Sequence, residues 1–374
     1  MRAARIALLL DWAPASWETR NEFHLRLCCG LRARGGVPIL VVPRRLPDLV
    51  RSRFEENGAE VLTLDYNQGR YQYYVEVGKL IRKYSISLVH SRFFLYYSAI
   101  PWMARLHGVR RIVFTEATGG EWKPKSWKAH LVRLRARLAC LPMTRLIAVS
   151  EFIKRRLVSL GIGEDRVVVV YNGVDVDRFT PDAGARERLA KDFPIGPDEL
   201  VMATACNLVP IKHPEVLVEA CGILAQRGVP VRLFVAGGGP MRADMELLSH
   251  KLGIADRTHW LGYHAYPERL FQACDVVVLP SVGEAFGNVL AEAMACGAPV
   301  VGSRSGGIGE VVEDGKTGLL ARPLDPTAFA DAIQKLAEDS TLRREMGMRG
   351  LERVRRNFTV DIAVEKTLEV YEST

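Results

Sequence analysis

Apolar and polar positions alternate along the chain with the two periods that α/β proteins show. Residues 5–10 and 37–42 are short apolar runs with the length and composition of buried strands. The segment 21–34 between them carries Phe23 and Leu27 at helical spacing, which predicts an amphipathic helix. Because the same strand and helix order recurs, the pattern predicts right-handed βαβ units and mostly parallel sheets with helices on both faces.

The alternation runs through two successive cycles. The first ends at a turn-rich, proline-terminated segment, 171–182, and the second starts with the apolar run 200–205. At 374 residues the chain exceeds the size of one ordinary hydrophobic core. We therefore predict an α/β fold of two similarly built domains, 1–182 and 183–358, that face each other and bind ligand at the carboxyl ends of their strands. A final helix is predicted over 361–371.

The composition is that of a globular protein without a membrane-spanning helix. Hydrophobic residues make up 48% and charged residues 25% of the chain, and no run of eighteen apolar residues occurs. The N-terminal apolar run stops at Asp11, too early for the apolar region of a secretory signal. The seven cysteines include no CxxC pair, so we expect reduced thiols without disulfides or structural zinc. These features predict a cytoplasmic protein.

Basic residues are concentrated in the first part of the chain. Residues 1–184 carry 30 Lys and Arg against 17 Asp and Glu, a net charge of +13, whereas the remainder carries −5. Part of the excess lies in 121–139, where Leu131, Leu134 and Leu138 share one helical face surrounded by basic residues. Two interpretations stay open: peripheral contact with an anionic membrane or, as we favour, leucines packed on the sheet beneath solvated arginines. No nucleic-acid-binding module accompanies the charge, so we expect no nucleic acid partner.

Candidate chemistry is concentrated in residues 275–307, a predicted strand, glycine-containing loop, helix of about three turns and second strand. The helix carries one carboxylate, Glu292, among apolar residues on every side, so we expect a buried carboxylate in need of a partner. Glu284 lies eight residues earlier in the loop, where its carboxylate is expected to face the same space. The backbone N–H groups of 286–289 are expected to point outward at the helix N-terminus, which favours a phosphate.

Three further segments partly match known nucleotide- or metal-binding motifs, but none matches its motif well enough to predict binding. The glycine run 237–239 lacks the third glycine of a dinucleotide-binding fingerprint. Residues 315–317 have the Gly-Lys-Thr sequence of a P-loop, but Gly309 is one residue too far upstream, and we interpret the segment as a hairpin turn. Asp175 and Asp177 match a DxD metal motif, yet carboxylates in such segments are more often turn formers. We therefore predict no metal and no cofactor.

Several short motifs occur in one order and at characteristic spacing. They are VSE (149–151), YNGVD (171–175), CNLVPIKH (206–213), GGGP (237–240), SxxEAFGN (281–288) followed by Glu292, and SGGIGEVV (305–312). With these motifs the sequence resembles the retaining glycosyltransferases of family 4 over most of its length, most closely from 146 to 322. The resemblance implies the GT-B fold of two facing Rossmann-like domains, in which residues 359–374 form a helix that crosses back onto the first domain.

The resemblance also implies a nucleotide-diphosphate sugar bound mainly by the second domain. Glu292 would bind the ribose hydroxyls. Glu284 would bind the donor-sugar hydroxyls and Lys212 the diphosphate, and these two residues would serve catalysis. The other implied nucleotide-sugar positions are Phe286, Gly287, Asn288 and Val289, whose amides would hold the diphosphate, and Asn207, Gly238 and Tyr263. The front-face mechanism proposed for the family needs no enzyme nucleophile, because the acceptor hydroxyl passes its proton to the departing phosphate.

The chain departs from the family pattern at three places. Asn207 stands where members usually carry an arginine, and Ala117 stands where they carry a histidine near the donor sugar. The glycine pair that family members often have after the first strand is missing, and the segment 12–22, which contains no glycine, stands there instead. On the acceptor side the candidate residues are therefore Glu116 and Trp17.

Together these features predict a hexosyltransferase that moves a hexose or N-acetylhexosamine, from UDP rather than GDP, to a glycan or lipid-linked acceptor of bacterial polysaccharide or envelope biosynthesis. One alternative is a small-molecule acceptor, as in antibiotic or compatible-solute biosynthesis. Another is a degenerate, non-catalytic subunit that binds nucleotide sugar or acts as a scaffold. Family members use the loop at Gly306 and Gly307 near the donor sugar, so a donor contact and a simple turn both stay open there.

Overall fold

The structure is a computed structural model that describes residues 4–13, 19–65, 70–92, 98–120, 126–263 and 266–374. The described chain divides into two compact units. Unit 1 comprises Met1–Thr118, Trp122–Gly173 and Val360–Thr374, and unit 2 comprises Gly119–Glu121 and Val174–Thr359. Unit 2 thus begins earlier than the domain boundary expected at residue 182, because the chain after Gly173 bonds to it. The Val174 N–H donates to the Phe358 carbonyl oxygen at 2.7 Å.

Unit 1 is built on a parallel sheet that has seven strands in the described residues, in the order β3-β2-β1-β4-β5-β6-β7. The strands are β1 (Arg5–Leu10), β2 (Val37–Val42), β3 (Glu60–Thr63), β4 (Leu88–Arg92), β5 (Arg111–Glu116), β6 (Arg145–Ala148) and β7 (Val167–Val169). The helices of its first two segments are α1 (Thr19–Ala33), α2 (Asp48–Glu56), α3 (Arg70–Tyr84), α4 (Ile100–Leu106), α5 (Ser126–Cys140) and α6 (Glu151–Ser159). Central β1 pairs with β2 and β4 and is buried from Ile6 to Leu10, as a strand covered on both faces must be.

Unit 2 repeats this design on a parallel sheet with six strands in the described residues, in the order β10-β9-β8-β11-β12-β13. The strands are β8 (Leu200–Ala205), β9 (Val231–Ala236), β10 (Thr258–Gly262), β11 (Val276–Leu279), β12 (Val300–Ser303) and β13 (Gly318–Ala321). Its helices are α7 (Ala185–Asp192), α8 (Pro214–Gln226), α9 (Arg242–Lys251), α10 (Pro267–Ala273), α11 (Asn288–Ala295), α12 (Ile308–Val311), α13 (Pro326–Glu338) and α14 (Ser340–Asn357). The predicted parallel α/β architecture is confirmed in both units.

The last helix, α15 (Val360–Glu372), belongs to unit 1, which confirms the predicted return of the chain to the first domain. It packs against α1 so closely that a Cβ on Gly30 would lie 2.7 Å from Leu368 Cδ1. Arg26 Nη1 lies 2.9 Å from Asp361 Oδ1 at the edge of this contact. Because Asp361 is largely exposed, the pair adds little, and burial of the apolar side chains accounts for most of the stability.

A buried hydrogen-bonded group joins α15 to the sheet of unit 1. His90 on β4 has Nδ1 2.5 Å from the Tyr371 hydroxyl and Nε2 2.7 Å from Thr115 Oγ1. The Arg111 guanidinium donates to the Tyr371 carbonyl oxygen. Burial lowers the pKa of His90 to about 3, because desolvation penalises the imidazolium, and the nearby Arg92 charge acts in the same direction.

We expect acid to destabilise unit 1 through His90. The unfolded chain takes up a proton on this imidazole near pH 6.5, whereas the folded protein keeps it neutral down to about pH 3, so stability falls as the pH falls between these values. From pH 7 to pH 5 the loss is about 2 kcal/mol. Urea titrations should show that the wild type loses this much more than His90→Gln, which cannot titrate here. An equal pH dependence of the two proteins would contradict the prediction.

The basic helix predicted within 121–139 is α5, and the interpretation that its leucines pack on the sheet is wrong. Leu131, Leu134 and Leu138 are 60%, 55% and 53% exposed, whereas the buried side chains among those described on α5 are Ala136 and Cys140. Small residues therefore face the unit and large apolar ones face solvent. Within the described residues, every helix falls short of the length or apolarity needed to cross a membrane.

Two predicted turns have different outcomes. Asp175 Oδ1 accepts the Asp177 N–H at 3.2 Å and the Arg178 N–H at 3.4 Å, which confirms that this aspartate is a turn former. The hairpin predicted around residues 315–317 is wrong, because the turn follows helix α12 and enters β13, which pairs parallel to β12. Its glycine chemistry is as expected, since Gly315 has φ +76°.

Candidate functional site

The loop between β11 and α11 lies at the carboxyl edge of the unit 2 sheet. Gly287 adopts φ +100° as the N-cap of α11, and Gly297, just after the helix, adopts φ +80°. The predicted start and stop residues of this helix are therefore confirmed, although its eight residues make about two turns rather than three. In a parallel sheet the loops after β8, β9, β10 and β11 open on the same edge, which gathers the predicted nucleotide-sugar residues there.

The loop after β12, residues 304–307, contacts the loop before α11 through its glycines. The Gly307 N–H donates to the Glu284 carbonyl oxygen at 2.8 Å, and the Gly283 N–H donates to Ser305 Oγ at 3.0 Å. A Cβ on Gly306 would lie 2.4 Å from the Glu284 carbonyl oxygen, and one on Gly307 would lie 2.4 Å from the Ala285 carbonyl oxygen. The glycine pair thus has a structural role, because only residues without a side chain let the two backbones approach so closely.

A further backbone contact to this loop has no counterpart in the sequence prediction. The Gly120 N–H donates to the Gly283 carbonyl oxygen at 2.6 Å, and a Cβ on Gly119 would lie 2.7 Å from the same oxygen. For this reason Gly119 and Gly120 cluster with unit 2, although they follow β5 of unit 1 in the sequence. The Gly-Gly pair is the one signal in the sequence that a close backbone approach occurs here.

The two residues predicted to serve catalysis are brought into direct contact. Lys212 ends a short 3₁₀ turn, Pro210–Lys212, that precedes α8, and its Nζ forms an ion pair with Glu284 Oε1. The side chains are 25% and 16% exposed, so the pair is partly shielded from water but open to a ligand. Lys212 is therefore not the solvated surface lysine that its sequence position alone suggests, and the loop of Glu284 and the turn of Lys212 form one site.

The residue after Lys212 has an unusual backbone conformation. His213 adopts φ +48°, ψ +51°, in the left-handed region that non-glycine residues rarely enter. Its Nδ1 lies 2.8 Å from Glu215 Oε1, which helps to offset a conformational cost of about 1 kcal/mol. The left-handed residue sharply turns the chain between Lys212 and α8. The sequence signals this only weakly, because histidine is enriched among non-glycine residues of positive φ but adopts that conformation in a small minority of cases.

The loops after β8 and β9 are also joined by backbone contacts. The Leu208 N–H donates to the Gly238 carbonyl oxygen at 2.8 Å. A Cβ on Gly237 would lie 1.9 Å from the Cys206 carbonyl oxygen, so this position requires glycine, whereas the space around Gly238 is open. The predicted binding residue Asn207 is exposed in the first of these loops.

Glu292 and Tyr263 differ in their exposure. Glu292 is partly exposed on α11, so the expectation of a fully buried carboxylate is wrong. Burial of the Cys296 thiol, one turn later on the helix, raises its pKa, and the negative charge of Glu292 raises it further. Tyr263, which follows β10, is 72% exposed. Both side chains are thus accessible to a ligand at this edge of the sheet.

The acceptor-side candidate Glu116 is buried at the end of β5. The side chain is 2% exposed, Arg156 Nη2 lies 3.2 Å from its Oε1, and the Thr118 N–H donates to the same oxygen at 2.8 Å. Burial raises the pKa of the Glu116 carboxyl, and the Arg156 charge partly opposes this. The carboxylate therefore holds the chain after β5 in place through Arg156, a partner that sequence reasoning missed. The other candidate, Trp17, lies outside the described residues.

Within the described residues, no three His, Cys, Asp or Glu side chains are grouped as a metal site would require. The described part of the site instead combines an ion pair, glycine-supported backbone and a helix N-terminus. Such a combination suits an anionic ligand with hydroxyl groups, because amides and a lysine bind phosphate while carboxylates accept hydrogen bonds from hydroxyls.

Two family models match consecutive parts of the chain. The model described as Glycosyltransferase Family 4 matches residues 23–178, and the model described as Glycosyl transferases group 1 matches residues 185–353. Together they take in most of unit 1 and unit 2. With its two Rossmann-like units the chain is of the GT-B class, and it belongs to glycosyltransferase family 4.

Known proteins of this kind resemble the chain in sequence or in fold. The D-inositol 3-phosphate glycosyltransferase of Salinispora tropica is 38% identical over 221 residues, which are 55% of this chain and 46% of that protein. The chain spans about half the length of the curated relatives it matches. A Rickettsia africae glycosyltransferase superposes with a TM-score of 0.82 at 19% identity, covering 100% of this chain and 99% of that chain. Anabaena HepE, crystallised with UDP and glucose, has a TM-score of 0.81 at 20% identity over 98% and 99%. These structures confirm the predicted GT-B fold.

Proposed function

We propose that this protein is a retaining glycosyltransferase that transfers a hexose or N-acetylhexosamine from a nucleotide-diphosphate sugar, with UDP preferred to GDP. The observation that carries the proposal is the Lys212–Glu284 ion pair beside the N-terminus of α11. Family membership gives the reaction class. The ion pair supplies a cation for the diphosphate and a carboxylate for the sugar hydroxyls of the same ligand. No metal and no cofactor form part of the proposal.

The reaction makes different demands on the two members of the pair. As the glycosidic bond breaks, negative charge grows on the leaving diphosphate, so a fixed cation and helix N-terminal amides stabilise the transition state more than the ground state. Lys212 would exchange its bond to Glu284 for phosphate oxygens, and Glu284 would then accept hydrogen bonds from donor-sugar hydroxyls. The acceptor hydroxyl would pass its proton to the departing phosphate, with no enzyme nucleophile. Glu284 keeps its negative charge in this exchange, so Lys212 and the N–H groups at the start of α11 together offset the negative charge that the diphosphate adds.

Two classes of acceptor are candidates. A glycan or lipid-linked acceptor of bacterial envelope biosynthesis suits the basic charge of the first part of the chain. A small phosphorylated polyol is favoured by the relatives that are named D-inositol 3-phosphate glycosyltransferases. Both suit an enzyme of the cytoplasm, where nucleotide sugars are made. The intact Lys212–Glu284 pair argues against the third alternative, a scaffold without activity.

Thermal unfolding in the presence of nucleotides tests the proposal. A ligand at 100 times its Kd adds about 2.7 kcal/mol to the free energy of unfolding, which raises the Tm by a few degrees. We expect UDP and at least one UDP-sugar to give this shift, GDP to give less, and EDTA to leave it unchanged. Transfer to inositol phosphate and to lipid-linked glycan can then be assayed with the stabilising donor. The absence of a shift with every nucleotide sugar would overturn the proposal.

Glu292→Ala is expected to weaken UDP and uridine binding alike. Under the proposal the carboxylate accepts hydrogen bonds from the ribose hydroxyls, and a charge-assisted bond contributes about 1.5–3 kcal/mol, which is roughly a 10- to 100-fold loss of affinity. Isothermal titration calorimetry measures both ligands. The matched control is Glu352→Ala, which removes an exposed carboxylate of the same unit and should leave both affinities unchanged. A loss confined to UDP would place Glu292 near the diphosphate instead.

A further inference from the structure

Unit 1 exposes a contiguous row of leucines on and just after α5. Leu131, Leu134, Leu138 and Leu141 follow each other at spacings of three and four residues, so they lie on one side of the helix. Each is between 53% and 61% exposed. Isolated exposed leucines are common, but a row of four on one helical face is typical of an interaction surface. We refer to these four residues, with Trp102 and Leu106, as the α5 face.

Helix α4 extends the same apolar surface. Trp102 is 38% exposed, and its Nε1–H donates to the Leu138 carbonyl oxygen at 3.0 Å, which holds the end of α5 beside α4. Leu106, at the end of α4, is 73% exposed. A shallow groove between the two helices is lined mainly by the side chains of Ser98, Trp102, Leu131, Leu134 and Leu138. The apolar surface is therefore continuous over two helices rather than confined to one.

The charged side chains that the structure describes on α4 and α5 are all basic. Arg133, Arg135 and Arg137 are exposed on α5, between and beside the leucines. The chain has no Asp or Glu in 77–115 or in 122–150, the two stretches that contain α4 and α5. An apolar face bordered by arginines is complementary to a surface that offers both hydrocarbon and negative charge. A second copy of this face would bring like charges together, which disfavours self-association here.

We propose that the α5 face docks unit 1 on the surface of an anionic lipid bilayer. The leucines and Trp102 enter the boundary between headgroups and acyl chains, while the arginines extend to the lipid phosphates. α5 lies in the plane of the membrane and does not cross it, since the helix spans only Ser126–Cys140 and carries several arginines. This inference goes beyond the proposed function, because docking requires neither donor nor acceptor.

Flotation of the full-length protein with lipid vesicles tests the proposal directly. We expect the protein to float with vesicles of phosphatidylcholine containing about 30% phosphatidylglycerol and to remain unbound with phosphatidylcholine alone. Raising the ionic strength from about 0.1 M to about 1 M shortens the Debye length from roughly 10 Å to roughly 3 Å and should release much of the bound protein. Failure to float with anionic vesicles at low salt would overturn the proposal.

Two pairs of substitutions separate the apolar and the charged contributions. Leu134→Ser with Leu138→Ser should weaken partition by at least about tenfold, because both side chains lose their burial in lipid. The matched control, Leu49→Ser with Leu247→Ser, changes leucines that are 76% and 54% exposed outside the α5 face and should bind vesicles as the wild type does. All four positions are exposed, so the variants are expected to fold.

Arg133→Glu with Arg135→Glu should weaken partition by roughly 25-fold at low salt, since each basic residue near an anionic surface contributes about a fivefold factor. Arg344→Glu with Arg355→Glu, on exposed positions of α14, is the matched control and should change little. Vesicle binding that is the same in wild type and α5 variants would refute the docking surface. So would a dimer in size-exclusion chromatography with light scattering that the leucine variant dissociates while vesicle binding persists, because the face would then be a protein interface.

Discussion

Lys212→Ala is expected to lower the rate of glycosyl transfer by about 10²- to 10³-fold, the usual effect of removing one group that stabilises charge developing in the transition state. Lys212 Nζ pairs with Glu284, and the lysine side chain is 25% exposed, so it can reach a diphosphate bound at the start of α11. Without the lysine, Glu284 faces the ligand as an uncompensated negative charge. UDP affinity should therefore fall much more than uridine affinity, as measured by calorimetry alongside kcat/KM.

Two further variants test whether the effect of Lys212→Ala is specific to this lysine and to its ion pair. Lys335→Ala removes an exposed lysine from α13 of the same unit and should leave both activity and nucleotide affinity unchanged. Glu284→Gln keeps the shape of the partner and removes its charge, so transfer should fall while UDP affinity is retained. If Lys212→Ala lost affinity for uridine and UDP equally, the role of Lys212 at the diphosphate would be refuted.

Gly306→Ala should disrupt the site without changing any group that contacts ligand. Gly306 has φ +62°, and an added Cβ would lie 2.4 Å from the Glu284 carbonyl oxygen and 2.7 Å from the Glu284 nitrogen. Because both atoms are backbone, the loop that carries Glu284 must move. We expect the free energy of unfolding to fall by about 3 kcal/mol or more and UDP binding to be lost at concentrations that saturate the wild type.

Gly315→Ala separates the effect of conformation from that of contact. Gly315 has φ +76°, but an added Cβ would have no atom within 4 Å. This variant should therefore lose about 1 kcal/mol, the cost of a left-handed alanine, and bind UDP normally. The difference between the two variants, from urea titrations, gives the contribution of the backbone approach. If both lost the same stability and bound UDP equally, Gly306 would be only a turn residue.

Secondary structure was predictable where one physical effect dominated. Central strands such as β1 and β2 are buried on both faces, so their apolar runs predicted the observed bounds, Arg5–Leu10 and Val37–Val42. Helix α14 escaped prediction, because its 18 residues are strongly polar and include Gly347 and Gly350. A Cβ on Gly347 would lie 2.1 Å from the Gly297 carbonyl oxygen. This glycine therefore allows close packing of α14 and does not end the helix. Contact with the end of α11 overrides local propensity there.

Exposure was the property that sequence patterns predicted least well. Glu292 stands among apolar neighbours on α11 and yet is partly exposed, whereas Glu116, which was expected to be available to the acceptor, is 2% exposed and paired with Arg156. The leucines of α5 have helical spacing, but this spacing is the same for a face that packs on a sheet and for one that faces outward. Which face is buried depends on the neighbouring elements, and these come from distant parts of the chain.

The sequence by itself determined the two parallel α/β units, the family and the residue types of the site, because strand and helix periodicity, turn glycines and motif order are local properties of the chain. The tertiary structure alone decided which of these residues meet. Lys212 and Glu284 are 72 residues apart and form an ion pair, and the loop at Gly306 supports Glu284 through backbone contacts. Such pairings arise because the loops that follow parallel strands converge at one edge of the sheet, whatever their separation in sequence.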